Sequence, residues 1–153
     1  MLAEPLEDLV EALHDKANPE RAAARQMQQL IDAMHTYHDI HGHLPTDIVD
    51  DDGKPLLSWR FEFLQWLVEH DLYNQFKRNE AWGSPSNRSL VERLPASLRC
   101  IDSQAAPGKT TLRAMRHPKS AMPGDKKLRL ENINDGTINT VALVEANVKH
   151  AIE

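Results

Sequence analysis

Four histidines and one aspartate fall within nine residues of one another, at His35, His38, Asp39, His41 and His43. Neutral imidazole is a good zinc ligand, and His35 and Asp39 are spaced one helical turn apart. On a helix, however, His38 and His41 point toward the apolar stripe, whereas His35 lies at its edge. Because these side chains do not converge, the spacing favours packed or hydrogen-bonded histidines over a metal site.

The triple aspartate Asp50–Asp52 is a second candidate for cation chemistry. Carboxylates bind Ca²⁺, but an EF-hand loop needs alternating ligands and a distal Glu, and this spacing differs. With Gly53 the triple predicts a turn, since Gly adopts positive φ and Asp bonds the local backbone. A metal-dependent hydrolase built from these aspartates and the His-rich stretch would lack an HExxH spacing or paired glutamates. We therefore predict no catalytic residues, no metal and no cofactor.

The remaining candidates are one cysteine and a basic cluster. Cys100 is the only cysteine, so it has no disulfide partner in the chain and is typical of a small buried residue. Residues 1–80 carry 16 acids and 7 bases, whereas residues 81–153 carry 7 acids and 11 bases. A solvated face is the favoured interpretation of the basic cluster, and contact with an anion or acidic partner is the alternative. Its members are Lys109, Arg113, Arg116, Lys119, Lys126, Lys127 and Arg129. The net charge of −5 gives no reason to expect nucleic acid.

The histidines belong to the longest element that the sequence predicts, a helix over Pro19–His41. Asn18 is a suitable N-cap, Pro19 suits the first helical position, and Gly42 is a suitable C-terminal stop. A helix of this length extends about 33 Å. Its apolar stripe is predicted to comprise Met27, Leu30, Ile31, Met34, His38 and His41.

The aromatic residues concentrate in residues 52–76, which hold two of the three Trp and all three Phe. Here Ser58 is predicted to cap a helix that runs to about Glu69, with Trp59 as a core anchor. Arg60 lies on the apolar side of that helix. A buried guanidinium needs a carboxylate partner, and we expect Glu145 or Asp135 to supply it.

The second half of the chain predicts short elements. A turn beginning at Asp71 directs Leu72, Tyr73 and Phe76 inward, and a short helix starts at Asn87 or Ser89 and ends at Leu94. Strands are predicted at Leu98–Ile101, Thr110–Met115 and Ile138–Glu145, with a turn at Asn134–Thr137. Helices followed by strands indicate an α+β domain with a small antiparallel sheet.

The N-terminal segment Glu4–His14 predicts a short amphipathic helix, with Leu6, Leu9, Val10 and Leu13 on one face. Its acidic character differs from that of a signal peptide, which begins with basic residues before an unbroken apolar stretch. The sequence has no apolar run of about 18 residues, so we expect no membrane insertion by this chain itself.

Several motifs together resemble a bacterial domain family of unknown function, abundant in planctomycetes and formerly labelled solute-binding protein family ten. The resemblance extends over about residues 21–146. The motifs are His38–Pro45, Asp52–Arg60, Leu72–Phe76, Trp82, Ser84, Asn87, Cys100, Asp135–Thr140 and Glu145. Two positions depart from the pattern: Ile101 stands where the family has Pro, and Ile138 where it has Ser.

Members of that family resemble type IV pilins and pseudopilins, with an apolar N-terminal helix before an α/β globular part. The resemblance implies a pilin-like roll, with the long helix packed on the sheet. The acidic segment stands in place of the apolar helix. We therefore expect an acidic amphipathic extension over residues 1–18 and a single pilin-like globular domain over residues 19–153. A cell-envelope or secreted location is implied by the resemblance alone.

Three functions remain open at this point. The favoured one is a non-enzymatic, pilin-like structural or protein-interaction domain with a protein partner or self-assembly. The alternative is a module that binds a small solute or carbohydrate through the basic loops from Lys109 to Arg129 and an exposed Trp82; a metal-dependent hydrolase is third. The recognisable motif residues are predicted to define the fold and not a ligand site: Ser58, Trp59, Arg60, Asp135, Gly136, Thr137, Asn139 and Glu145.

Overall fold

The computed structural model describes residues 18–67, 70–98, 106 and 108–146. Three sequence predictions lie outside that part of the chain: the Glu4–His14 helix, the position of Cys100, and residues 99–101 of the expected strand at Leu98–Ile101. The division into an extension and one domain therefore remains a prediction.

The long helix, α1, spans Pro19–His41, as the sequence predicts. The Asn18 side chain accepts a hydrogen bond from the Arg21 backbone N–H at 3.1 Å and so caps the first turn. Gly42 ends the helix in the left-handed conformation, with φ of 73°, and its N–H donates to the His38 carbonyl. Both ends are thus fixed by local backbone chemistry.

The buried face of α1 is turned relative to the predicted stripe. Leu30, Ala33, Met34 and Tyr37 are buried, whereas Ile31 is 42% exposed. His41 is also exposed, so its predicted place in the stripe is wrong. The bulky Tyr37 side chain packs inward and moves the centre of the buried face away from Ile31. His41 lies one turn after Tyr37 and is the last residue of the helix.

A short hairpin that the sequence analysis missed follows α1. Strand β1 (Ile48–Val49) pairs antiparallel with β2 (Pro55–Leu57). The predicted turn joins them: Asp50 Oδ1 accepts the backbone N–H groups of Asp52 and Lys54 at 3.1 and 2.8 Å, and Gly53 has φ of 79°. The aspartate triple therefore contributes turn chemistry in this structure.

The aromatic helix is much shorter than predicted. Helix α2 covers only Arg60–Phe63, and residues 64–67 form turns. Two further helices follow, α3 (His70–Gln75) and α4 (Pro85–Val91). Leu72 and Phe76 point inward as expected, whereas α4 begins earlier than predicted because the Ser84 side chain caps it by accepting the Asn87 N–H.

The C-terminal elements are short. A 3₁₀ turn covers Ala96–Leu98, strand β3 covers Leu112–Ala114, and β4 covers Leu143–Glu145; two more 3₁₀ turns lie at Leu130–Asn132 and Thr137–Asn139. Strands β3 and β4 pair antiparallel, with Leu112 opposite Glu145. The predicted strand at Ile138–Glu145 is therefore wrong in its first half, where Ile138 lies in a 3₁₀ turn and is 98% exposed.

The core is centred on the aromatic segment, where Trp59, Phe61, Phe63 and Leu64 are 0–1% exposed. It includes Leu30 of α1 together with Leu112 of β3, so helix and strands share one apolar interior. Over the described residues, the fold is α+β, with one long helix, several short helices and two two-stranded antiparallel sheets. Among the helices of the described residues, none has the length and apolar character needed to cross a membrane.

Candidate functional site

Arg60 is buried at the start of α2, with 4% of its surface exposed. One guanidinium nitrogen donates to the Leu112 backbone carbonyl of β3, and the guanidinium carbon lies 4.6 Å from the centre of the Trp59 ring. Burial lowers the pKa of Arg60 to about 10; the charge of Arg116 adds to this shift and Asp47 opposes it. The cation is therefore held by a carbonyl and an aromatic face.

This geometry corrects two predictions, the carboxylate partner of Arg60 and the helix cap from Ser58. Arg60 does not pair with Asp135 or Glu145; the Glu145 carboxylate instead lies 3.4 Å from the Thr111 hydroxyl. Ser58 gives α2 no side-chain cap, and its hydroxyl has no hydrogen-bond partner in the part of the chain that the structure describes. Glu145 and Asp135 lie in exposed positions. The acceptor is a backbone carbonyl 52 residues away, and a sequence pattern does not reveal such a partner.

Asp47 binds the start of the aromatic segment, where the sequence analysis predicted a cap from Ser58. Its carboxylate accepts the Trp59 backbone N–H at 2.9 Å and pairs with Arg116 at 2.7 Å. It therefore joins the β1 strand region, the start of α2 and the loop after β3. No local spacing reveals such a role, because its partners are 12 and 69 residues away.

We expect Arg60→Met to change the free energy of unfolding by no more than about 1 kcal/mol at neutral pH. The variant loses the hydrogen bond to the Leu112 carbonyl but removes a buried charge, and exchanging a buried ion for an apolar side chain of similar size is often nearly neutral. Urea melts of wild type and Arg60→Met measure this. Arg60→Ala, which leaves a cavity, is the control and should cost about 2–4 kcal/mol.

The same pair of proteins has an expected pH dependence. Because the pKa of Arg60 is lowered on folding, the folded chain releases this proton before the unfolded chain does. Stability therefore rises as pH passes about 10, and wild type should gain about 1 kcal/mol relative to Arg60→Met between about pH 8 and 11.

A loss above about 3 kcal/mol for Arg60→Met at neutral pH would contradict this account, since it would require a stranded buried carboxylate.

The His-rich end of α1 is a packed and hydrogen-bonded cluster. His38 Nε2 lies 3.2 Å from the Leu130 backbone N–H, and His43 Nδ1 lies 2.8 Å from the Leu44 carbonyl. The Tyr37 ring packs on His41 with ring centres 4.2 Å apart, and burial raises the pKa of Tyr37 to about 12, with Glu62 adding to the shift. In the described ranges, no three His, Cys, Asp or Glu side chains are arranged to hold a metal ion.

The basic cluster does not form one open anion site with Trp82. Arg116 pairs with Asp47, and Arg129 pairs with Glu131 at 2.6 Å. Trp82 is half-buried and stacked on Phe76, with ring centres 5.3 Å apart. The expected exposed Trp82 is therefore wrong, because its ring belongs to the aromatic core.

An apolar groove of about 310 Å³ lies along one side of α1. The helix contributes Met27, Ile31 and Met34, together with His35 at the edge. The segment after Leu128 forms the other wall, with the lining residues Leu130, Ile133, Thr137, Thr140, Val141, Ala142 and Leu143. Ile31 and Val141 are 42% and 58% exposed, so the groove presents apolar surface to solvent. A second cavity, of about 370 Å³, borders the opposite face of α1 and is lined by both polar and apolar side chains.

The Asp135–Asn139 motif shapes the far wall of this groove. The Asn139 side chain donates to the Asp135 carbonyl at 3.0 Å, and Gly136 has φ of 75°. Thr137 lines the groove, and the neighbouring Ile138 is almost fully exposed. The motif is thus a turn, as the sequence predicts, followed by a 3₁₀ turn, and β4 pairs with β3 and not across this turn.

The chain matches the model of a protein family. A family model described as "Protein of unknown function (DUF1559)", SBP_bac_10, matches residues 19–125. The chain belongs to this family. Neither the curated proteins nor the solved structures include a match to it.

The DUF1559 match covers α1, the β1–β2 hairpin, the aromatic segment and β3. It therefore includes the helix wall of the groove and the motif residues Ser58, Trp59 and Arg60. The other wall, from Leu130 to Leu143, follows the matched residues, as do Asp135, Gly136, Thr137, Asn139 and Glu145. The groove thus combines the DUF1559 part of the chain with the segment that comes after it.

Proposed function

We propose that this DUF1559 chain is a non-enzymatic protein-interaction domain with a structural role, and that its groove binds an apolar segment of a protein partner. The observation that carries the proposal is the apolar groove beside α1, with Ile31 and Val141 partly exposed inside it. Exposed apolar surface in a groove is typical of interaction sites, and an amphipathic helix lying in such a groove is a recurring mode of recognition.

The resemblance to pilin-like subunits supports the structural side of the proposal, because such domains act by assembling with other proteins. A partner protein and a second copy of this chain are both compatible with it. The acidic net charge of −5 supports a protein and not a nucleic acid as the partner. The turn roles of Asp50 and the hydrogen-bonded histidines support a non-enzymatic function.

Panning a library of helical peptides on the purified chain tests the proposal. We expect amphipathic peptides with micromolar affinity, measured by fluorescence anisotropy. Val141→Asp places a charge in the groove and should weaken their binding at least about tenfold, a loss of about 1.4 kcal/mol. Ile40→Asp is the matched control, since Ile40 is 61% exposed, close to the 58% of Val141, but lies outside the groove.

Equal affinity of the selected peptides for wild type and Val141→Asp would contradict the proposed function. An equal loss of peptide affinity for Ile40→Asp and Val141→Asp would also contradict it, because Ile40 lies outside the groove. Both variants change exposed side chains, and circular dichroism should show that they keep the wild-type fold.

Binding of a small solute is the second candidate, because a volume of about 310 Å³ lies within the usual range of small-molecule sites. Thr137, Thr140 and His35 offer polar groups at an otherwise apolar lining. Thermal shift with sugars, amino acids and phosphates separates the two candidates, since a ligand that binds only the folded chain raises its melting temperature. A shift that Val141→Asp abolishes would favour the solute.

A further inference from the structure

We propose that the chain's own segment Glu4–His14 binds in the groove as an amphipathic helix, antiparallel to α1. This inference deepens the proposed function and rests on it in one respect, namely that the groove accepts an apolar helix. The segment lies outside the described residues, and its sequence together with the geometry of the groove carries the argument.

The apolar face of the segment matches the groove in length. Leu6, Leu9, Val10 and Leu13 recur at helical spacing, and Leu6 and Leu13 are seven residues apart. Met27 and Met34, which line the helix wall, are also seven residues apart. Both pairs therefore span about 10 Å along a helix axis, so one apolar face can cover the other from end to end.

The connection to α1 allows this placement within one chain. Asn18 is extended, with φ of −142° and ψ of 91°, so the chain leaves the axis of α1 at its first turn. Met27 lies about 12 Å along that axis from Pro19. Packed helices also lie about 9 Å apart, so Leu13 beside Met27 is roughly 16 Å from Asn18. Five residue steps from Leu13 to Asn18 reach at most about 17 Å, so an extended tether is just long enough. A short tether also gives the segment an effective concentration in the millimolar range.

Charge selects the antiparallel direction. Residues 4–14 contain four acids and no Lys or Arg, with Glu4 and Glu7 near the start. The exposed Lys126 and Lys127 precede the Leu128 carbonyl, which accepts the Leu44 N–H at 2.7 Å, so they lie near the end of the groove close to His38. An antiparallel segment places its acidic start at that end. Exposed ion pairs contribute little affinity, so the charges set the direction and the apolar face provides the binding.

Photocrosslinking in the full-length chain tests the inference. Val141 is replaced by p-benzoylphenylalanine, unlabelled and ¹⁵N-labelled proteins are mixed in equal amounts, and the irradiated sample is digested for mass spectrometry. We expect cross-links from position 141 to residues 4–14, with both peptides carrying the same isotope label. The same probe at Ile40 is the matched control and should give at least fivefold fewer links to that segment.

A second variant guards against chance contact. Leu9→Asp combined with Val10→Asp disrupts the apolar face and should lower the cross-link yield at least fivefold. Ala12→Asp adds one charge away from the centre of that face and should lower it less than twofold. Equal losses for the double variant and the control would overturn the inference.

The outcomes also separate this inference from the proposed function. Same-label and mixed-label links in equal amounts, the ratio expected when every link joins two different chains, would overturn it and assign the groove to a second copy. An absence of links to residues 4–14 would overturn it too, and the proposed function would still stand if panned peptides lost affinity for Val141→Asp. A fourth result is intrachain links together with peptides that bind Val141→Asp as tightly as wild type. It would support the internal contact and contradict the proposed binding of a partner in the groove.

Discussion

Trp59→Ala is expected to lower the free energy of unfolding by about 3–5 kcal/mol, the usual range for removing a large aromatic side chain from a core. Trp59 is 1% exposed, and its ring meets Phe63 edge-on with ring centres 5.1 Å apart. It also supplies the aromatic face beside the Arg60 guanidinium. The substitution therefore removes packing and leaves a buried cation with less compensation. Urea melts followed by circular dichroism measure the loss.

Ile40→Ala is the control for Trp59→Ala, because Ile40 is 61% exposed and its truncation should change stability by less than about 0.5 kcal/mol. Trp59→Phe keeps part of the ring contact and should fall between the two. A loss under about 1 kcal/mol for Trp59→Ala would mean that the aromatic segment is not the centre of the core.

The bounds of α1 could be predicted because the signals that fix them are local. Asn18 bonds a backbone N–H three residues away, and Gly42 takes a conformation that glycine adopts readily. The turn at Asp50–Gly53 follows the same logic, since its hydrogen bonds stay within five residues. The α+β class follows from the order of such local patterns.

The strands and the length of α2 could not be predicted in the same way. Strands of two or three residues are too short to show a period, and β3 finds its partner β4 some 30 residues later in the chain. In the aromatic segment, helical spacing predicted a helix to Glu69. The chain leaves the helix after Phe63, where the bulky side chains on every side are buried by contacts from several elements.

The groove was beyond the reach of sequence patterns for a related reason. Its two walls lie about 100 residues apart, and only the packed fold brings Met27 and Val141 to the same groove. The pattern of α1 even placed Ile31 in the core, whereas the structure leaves it partly exposed at this site. One signal was available: Ile138 and Val141 are β-branched residues beside a strong turn, and exposed apolar residues there indicate a surface for contact.

Asn87 is the buried polar residue whose role the sequence left undefined. It was identified only as a possible helix start and as one of the motif residues, yet its side chain is fully buried. Its Oδ1 accepts the Lys77 backbone N–H at 2.9 Å. Its Nδ2 donates toward the carbonyls of Lys77, Glu80 and Ala81 at 3.0, 3.1 and 3.3 Å. One side chain thus organises the loop between α3 and α4.

Asn87→Ala should therefore lower the free energy of unfolding by about 3–5 kcal/mol, because it strands a buried N–H and several carbonyls at once. Asn79→Ala is the matched control, as Asn79 lies exposed in the same loop and its truncation should cost less than about 0.5 kcal/mol. Urea melts compare the two, and a similar small loss for both would show that the loop does not depend on Asn87.

Asn87→Asp distinguishes hydrogen bonding from simple volume. The new carboxylate faces carbonyl oxygens, so folding should raise its pKa above the ordinary value of about 4. The protonated acid donates one hydrogen bond, and stability is present below that value and lost as pH rises through the raised pKa. We therefore expect Asn87→Asp to approach wild-type stability near pH 4 and to fall below Asn87→Ala near pH 7, where a buried charge faces the carbonyls. A stability difference from wild type that is the same at both pH values would show that the three carbonyls do not depend on the Asn87 amide.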